Sequence, residues 1–314
     1  MLFFLLSSIA ARANRMIIVA GSANIDLVAR VSHHPAPGET LTASDYAVHD
    51  GGKGANQAVA AARVGGDVRF IGAVGSDDFG TRIRETLDRE HIDTRGLATV
   101  SGASGIALIN VDDAGENCIV VVPGANATLE TIDDTTLFTD ARVVLTQLET
   151  PATFVNATLT AGRAAGAETI LNAAPAVPLA TYATEALDWL MVNAGEAAMI
   201  GDTDEPDDID AAAALAARLS QRYDVGVVVT LGGNGALWHT TSGETGRVPA
   251  TSVAVVDTTG AGDTFAGVFA AARAEERPVA EAVRRAVTAG GLSVGAAGAR
   301  AGMPVQAALD AVLP

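Results

Sequence analysis

Cysteine and lysine each occur once in the 314 residues of this chain, at Cys118 and Lys53, and aromatic side chains make up only 4%. A single cysteine excludes an internal disulfide and any zinc site built on paired cysteines. Cys118 itself, in the run NCIVVV, reads as a small apolar residue in a strand rather than as a nucleophile. Lysine is scarce while arginine is not: 19 Arg stand against 37 acidic residues, for a formal net charge of −17. So acidic a surface excludes nucleic acid and anionic membrane as partners, because both are held by basic patches that displace counterions. It suits a protein that stays soluble in concentrated salt, where repulsion between carboxylates is screened, and a halophilic source is the expectation. A GC-rich genome that writes Arg for Lys produces the same bias.

Long apolar runs are also missing. The uninterrupted run near the start, Leu2 to Leu6 in MLFFLLSSIAARANR, is too short to span a bilayer and lacks the basic flank of a signal peptide. Residues 1–15 are read as an extension or misassigned start ahead of the strand that begins at Met16, residues 16–314 as the domain, and the protein as cytoplasmic. At 49% hydrophobic the chain can bury one large α/β core. Its Ala, Gly and Val favour tightly packed helices on a parallel sheet over a sandwich with aromatic anchors.

Strand and helix patterns follow that expectation. After IIVAG come alternating segments up to about Val48, then the glycine cluster GGKGANQ opening an Ala-rich helix from Asn56 to Val64. RFIGAVG reads as a strand, TRIRETLDRE as an amphipathic helix, and SGIALINVD and NCIVVVPG as a hairpin around DAGE. From ARVVLTQLE onward apolar strands alternate with helices, including Phe154 to Ala165 and Ile209 to Arg222, which predicts βαβ units and a mostly parallel sheet with helices on its faces. Ligands of such sheets bind at the carboxyl ends of the strands. The alternating segments at about 25–48 and 104–122 break the rhythm and are assigned to a small β-sheet projecting as a lid. The acidic stretch DTDEPDDID, Asp202 to Asp210, is expected to be a solvated loop.

The stretch DTTGAGDTFAG, Asp257 to Gly267, carries the chemistry. The Val-rich SVAVV is read as a strand leading into it and TFAGVFAAARA as a helix leading out, so the amides of Gly260, Ala261 and Gly262 lie at a helix N-terminus where an anion is stabilised. Asp263, set among them, is placed to act as a general base; the alternative is that it merely caps the helix. Neither GxGxxG nor a Walker A motif is present, since Phe265 stands where a third glycine belongs and no GK[ST] occurs.

Together, GSANIDLVARV, PGET, GGKGANQAVAAARVG, GANA at Gly124, QLETP, the Asn193 to Glu196 NAGE, TLGGNG and DTTGAGDTFAG occur in one order from Met16 to the C-terminus. In this the chain resembles the ribokinase-like (PfkB) carbohydrate kinases, in particular their ribokinases. The resemblance implies a ribokinase-like three-layer α/β sandwich with a small β-sheet lid. It also implies ATP-dependent phosphorylation of the primary 5-hydroxyl of a ribose unit, with Asp263 as base and Gly260, Ala261 and Gly262 as the anion hole. Asn24, Asp26, Gly52, Lys53, Asn56 and Glu149 would hold the sugar; Asn193, Thr230, Gly232, Gly235, Gly262 and Val287 would lie along ATP. Glu196 would reach Mg²⁺ through water, and Asp257, Thr259, Ser293, Ala296 and Gly298 would surround a monovalent cation, K⁺. Two positions depart from the family pattern: Gly302 replaces a hydroxyl side chain near the cation, and Val287 a polar residue near the base.

A ribose 1-phosphate kinase is the nearest rival and would need an anion clamp from Lys53, His33, His34 or Arg30. Nucleoside and other sugar kinases, or a non-catalytic sugar or nucleotide sensor, are further alternatives. The resemblance also implies a homodimer paired through the lid.

Overall fold

The computed structural model describes residues 15–313; most of the proposed extension 1–15 lies outside the described residues. In chain order the strands and helices are β1 (Met16–Ala20), β2 (Asn24–Arg30), β3 (Asp45–Gly51), α1 (Lys53–Arg63), β4 (Asp67–Gly75), α2 (Asp78–Arg89), β5 (Asp93–Val100), β6 (Gly105–Val111) and β7 (Asn117–Val122). There follow β8 (Ala141–Gln147), α3 (Ala152–Ala164), β9 (Glu168–Asn172), β10 (Trp189–Asn193), α4 (Ala194–Gly201), α5 (Ile209–Tyr223), β11 (Gly226–Thr230), β12 (Ala236–His239), β13 (Thr245–Val248), α6 (Ala261–Ala274), α7 (Val279–Ser293) and α8 (Gln306–Asp310).

Nine strands form the main sheet in the order β13-β12-β11-β10-β9-β8-β1-β4-β5, parallel except for the β12 and β13 edge. Its strands read as continuous apolar runs because both faces are covered. In β1, Ile17 and Val19 join one core with Phe70, Phe269 and Val283, while Ile18 and Ala20 join another with Val144 and Phe154. Beyond β9 the second face continues through Leu171, Leu190, Val192, Leu215 and Leu219. The layers are therefore helix, sheet, helix. No helix among the described residues is long and apolar enough to cross a membrane.

On one face α1 and α6 pack closely through small residues. A Cβ at Gly267 would collide with the Gln57 carbonyl of α1, so a larger side chain would force the helices apart. This close crossing sets the first turn of α1 beside the first turn of α6.

The second sheet, β3-β2-β6-β7, rises from the main one directly after β1. β2 pairs antiparallel with β3 from Asn24↔Gly51 to Arg30↔Asp45, and β6 turns into β7 as the predicted hairpin. Strand β7 contains Cys118, as its neighbours suggested, and is exposed throughout, so Cys118 is a free surface thiol. One expected strand is absent: SVAVV, residues 252–256, is irregular, with Val255 and Val256 exposed. The segment lies beyond the sheet edge and is held by the Val256 and Asp257 amides donating to the Val294 carbonyl.

Candidate active site

The N-terminus of α6 is built by Gly260. It adopts φ 77°, and a Cβ there would run into the backbone of Ala299, so the turn and its approach to the 294–302 loop both require glycine. Gly260 is the cap residue and receives no side-chain cap bond, which leaves Asp263 as the third residue of the helix and rules out the capping role weighed for it. The Ala261 amide turns back to the Thr258 carbonyl at 3.2 Å; those of Gly262 and Asp263 have no backbone partner among the described residues. Nothing lies within 4 Å of where a Gly262 side chain would be, and Gly260, Gly262 and Asp263 line the cleft. Such a helix end suits a phosphate.

Asp263 is 7% exposed and points across to α1. Its Oδ2 accepts from Asn56 Nδ2 at 3.0 Å and its Oδ1 from Gln57 Nε2 at 3.0 Å. Gln57 cannot turn its amide over, because its Nε2 also reaches Asn172 Oδ1 at 2.9 Å and its Oε1 accepts from Gln147 Nε2 at 2.7 Å. Burial raises the Asp263 pKa, while the Lys53 ammonium and the Asn56 and Gln57 amides pull the other way. The result is a carboxylate oriented from both sides, raised toward the basicity a proton acceptor needs.

Lys53, at the first position of α1, is the counterion of the whole cleft. Burial works against its charge, but the carboxylates of Asp263, Glu149, Glu196 and Asp26 outweigh that and hold its pKa above the ordinary lysine value. The space it shares with Asp263, Gly262, Asn193, Glu196 and Thr230 is about 140 Å³.

Of the residues expected to hold the sugar, Glu149 sits at the carboxyl end of β8, where Oε2 accepts from Ser22 Oγ at 2.6 Å and from the Lys53 amide at 3.0 Å. Asn24 is buried, its Oδ1 taken by Asn126 Nδ2 at 2.7 Å, and Asn126 is fixed in turn by the Ala23 amide at 3.0 Å. Burial pushes the Asp26 pKa up to about 6, against the opposing charge of Arg300 and with help from Glu149, Asp263 and Asp50. An Asp26 that accepts sugar hydroxyls must be ionised. Sugar affinity is therefore expected to be constant above about pH 7 and to fall by roughly tenfold per unit below about pH 6. Calorimetric titration of sugar between pH 5 and 8 checks this, and a flat profile would remove Asp26 from the binding set.

The residues expected along the nucleotide divide. Asn193 and Glu196 form a capping box on α4, with the Glu196 amide donating to Asn193 Oδ1 at 2.7 Å and the Asn193 amide to Glu196 Oε2 at 2.8 Å, so one Glu196 oxygen stays uncommitted. That carboxylate, raised by burial and facing Lys53, fits a water-bridged divalent ion better than direct ligation. Thr230 lines the cleft at the end of β11, and Gly232 lies in the turn just beyond. Gly235 lies in the turn into β12, backed onto Val248, outside the cleft. Val287 is 7% exposed within the apolar core and does not line the cleft either.

Of the residues expected around a monovalent cation, Asp257, Thr259 and Gly298 meet. Asp257 accepts from the Thr259 amide at 2.9 Å and the Gly298 amide at 2.8 Å, tying the segment before α6 to the loop after α7. Gly302 packs so tightly on the Ser293 carbonyl that a Cβ would overlap it, which accounts for the missing hydroxyl side chain. The oxygen-rich loop still offers backbone carbonyls of the kind K⁺ takes.

Five polar residues were missed by sequence reading: Gln57, Asn126, Gln147, Asn172 and Arg300. The first three stand inside the GGKGANQ, GANA and QLETP motifs, so their signal was present. Arg300 had none. Its Nε donates to Asn56 Oδ1 at 2.7 Å and its Nη2 to the Gly51 carbonyl at 3.0 Å. His33 and His34, weighed as an anion clamp, face carboxylates instead, Glu39 at 3.0 Å and Asp112 at 3.7 Å.

A larger groove, about 770 Å³, lies at the opposite, amino ends of the strands. Its arginines are already matched, Arg163 by Asp188 at 3.0 Å, Arg273 by Glu168 at 3.0 Å and Arg142 by Glu276. The smaller cleft at the carboxyl ends is where unsatisfied charge collects.

Comparison with known proteins identifies the family. The family model described as pfkB family carbohydrate kinase matches residues 14–306. The chain is 35% identical over 296 residues to a ribokinase of Haemophilus influenzae, covering 93% of this chain and 96% of that one. It is 35% identical over 295 residues to a deoxyribokinase of Salmonella typhi, covering 92% and 95%. Among solved structures it superposes on Arabidopsis thaliana ribokinase complexed with ribose and ATP, with a TM-score of 0.89 at 29% identity, covering 95% and 98% of the two chains.

Proposed function

The chain belongs to the pfkB family of carbohydrate kinases, and from that premise we propose that it transfers the γ-phosphoryl group of ATP to the primary 5-hydroxyl of D-ribose, with Asp263 as general base. One observation carries the proposal: the Asp263 carboxylate, held by Asn56 and Gln57, lies beside the free amides that open α6 and beside Lys53. Asp263 takes the hydroxyl proton as the sugar oxygen bonds to the γ-phosphorus and the bond to the leaving ADP oxygen breaks. The proton ends on Asp263. The Gly262 and Asp263 amides, with Lys53, meet the charge that develops on the transferring group. Asp26, Glu149, Asn24 and Asn56 hold the remaining sugar hydroxyls. Glu196 would hold Mg²⁺ through water, and the ion would neutralise phosphate charge when bound. K⁺ would sit among Asp257, Thr259, Ser293, Ala296 and Gly298.

Charge balance favours a neutral acceptor. The acids Asp26, Glu149 and Asp263 already outnumber Lys53 and Arg300 in the pocket, and a sugar phosphate would add a dianion. A sensor without turnover would have no use for a buried carboxylate held in register at a phosphate site. The discriminating assay is ATP consumption with ribose, 2-deoxyribose, ribose 1-phosphate and nucleosides, in molar KCl and in NaCl. Ribose in KCl should have the highest kcat/KM; a larger value for ribose 1-phosphate or a nucleoside would replace the proposal.

The exposed apolar side chains of the small sheet, Leu108, Val120 and Val122 on one face and Ile119 and Val121 on the other, beside the open β7 edge, suit pairing with a second copy. Sedimentation at the working salt should give twice the chain mass, and a monomer would dismiss this pairing.

A further inference from the structure

We propose that Arg300 is a positioning residue that locks the Asn56 amide and, through it, the aim of the Asp263 carboxylate, so that the loop after α7 and the reacting end of the cleft are set together. The inference rests on the base role proposed for Asp263.

Arg300 is separated by 244 positions from Asn56, yet its Nε donates to Asn56 Oδ1 at 2.7 Å. The second face of the guanidinium donates to the Gly51 carbonyl at 3.0 Å, one residue before the turn that opens α1. A guanidinium has donors only, so Asn56 must present its oxygen to Arg300 and its NH₂ to Asp263 Oδ2, 3.0 Å away. A flipped Asn56 would set an NH₂ against the guanidinium and an oxygen against the carboxylate, two repulsive contacts at once. Gln57 is fixed in the same sense from the other side by Gln147 and Asn172. Each Asp263 oxygen thus spends one lone pair on an amide of fixed orientation and keeps another for the substrate hydroxyl.

Arg300 is itself held at both ends. Its carbonyl accepts from Arg63 Nη1 at 2.6 Å, and Arg63 is anchored by Glu90, 2.6 Å from Nη2. Two residues upstream the Gly298 amide is pinned by Asp257 at 2.8 Å, and Ala299 packs on Gly260. One loop therefore touches the start of α6 from below and the start of α1 from the side. A displacement of this loop would misdirect Asp263 through Asn56.

The test is a double-mutant cycle on kcat between Arg300→Met and Asn56→Ala, with Arg300→Lys as the conservative variant and thermal melting as the control for folding. Arg300→Met should lower kcat by about ten- to a hundredfold, the scale of a misplaced reacting group, with the KM for ATP unchanged. Arg300→Lys should recover part of that loss. With Asn56 already removed, Arg300→Met should cost less than threefold further. Additive losses, or a rise in both KM values with kcat unchanged, would overturn the proposal. Asp263→Asn is assayed in parallel to separate the two claims. If it is inactive while the cycle is additive, the base stands and the relay falls; if it turns over normally, the base role falls. In that second case the same cycle read on sugar Kd by calorimetry still decides whether Arg300 acts through Asn56.

Discussion

Replacing Asp263 by asparagine is expected to lower kcat by about a thousandfold or more, the upper range for loss of a general base, while sugar and ATP still bind. The substitution keeps shape but turns one carboxylate oxygen into an NH₂. Asn56 and Gln57 each offer an amide NH to Asp263, and neither can reverse, since Arg300 holds one and Gln147 with Asn172 the other. One pair of donors must then face each other, at an expected cost of roughly 1–3 kcal/mol in stability. Initial rates, calorimetric Kd values and a melting curve on the same preparation separate these effects. Unchanged turnover in a folded variant would remove Asp263 from the base role.

Lys53→Met should be nearly as severe, lowering kcat/KM by about a hundredfold or more, as removal of a preorganised charge does. Methionine fills the same volume, so the loss is of charge alone. Asp263, Glu149, Glu196 and Asp26 would then face one another without their shared cation. Each ionised carboxylate becomes harder to form, so pKa values already raised at Asp263, Glu196 and Asp26 rise further. A base with a raised pKa is ionised only at higher pH; the acid limb of kcat/KM therefore moves upward in the variant. Rates from pH 5 to 9 check the direction. An acid limb that stays in place, with sugar KM unaltered, would mean that Lys53 lies outside the working cleft.

The two variants probe features of different legibility. Strand and helix positions in the main sheet follow from apolar runs buried on two faces, as β1 and β8 illustrate, and from the Ala-rich patterns of α1 and α5. The small sheet was readable from alternation and the DAGE turn. SVAVV was misread because five β-branched or small residues look alike whether a sheet edge is there to receive them or not. Val287 and Gly235 were placed along the nucleotide by resemblance, but the fold sets one in the core and the other in a turn against Val248. Cys118 does lie in a strand, as its apolar neighbours suggested; that β7 is exposed depends on the second sheet, which leaves it uncovered.

The amino-acid sequence alone determined the class of fold, the helix start at GAGD and the presence of one lysine among many acids. These are properties of short stretches and of composition, decided by backbone sterics, periodic burial and net charge. That Asp263 turns away from capping its own helix and toward Asn56 and Gln57 was decided only by tertiary structure, because those partners are more than 200 positions away and meet it through the close crossing of α1 and α6. Arg300 is the extreme case. A lone arginine in a glycine-rich loop carries no local signal, and its role depends wholly on which side chains the fold brings to its two free faces.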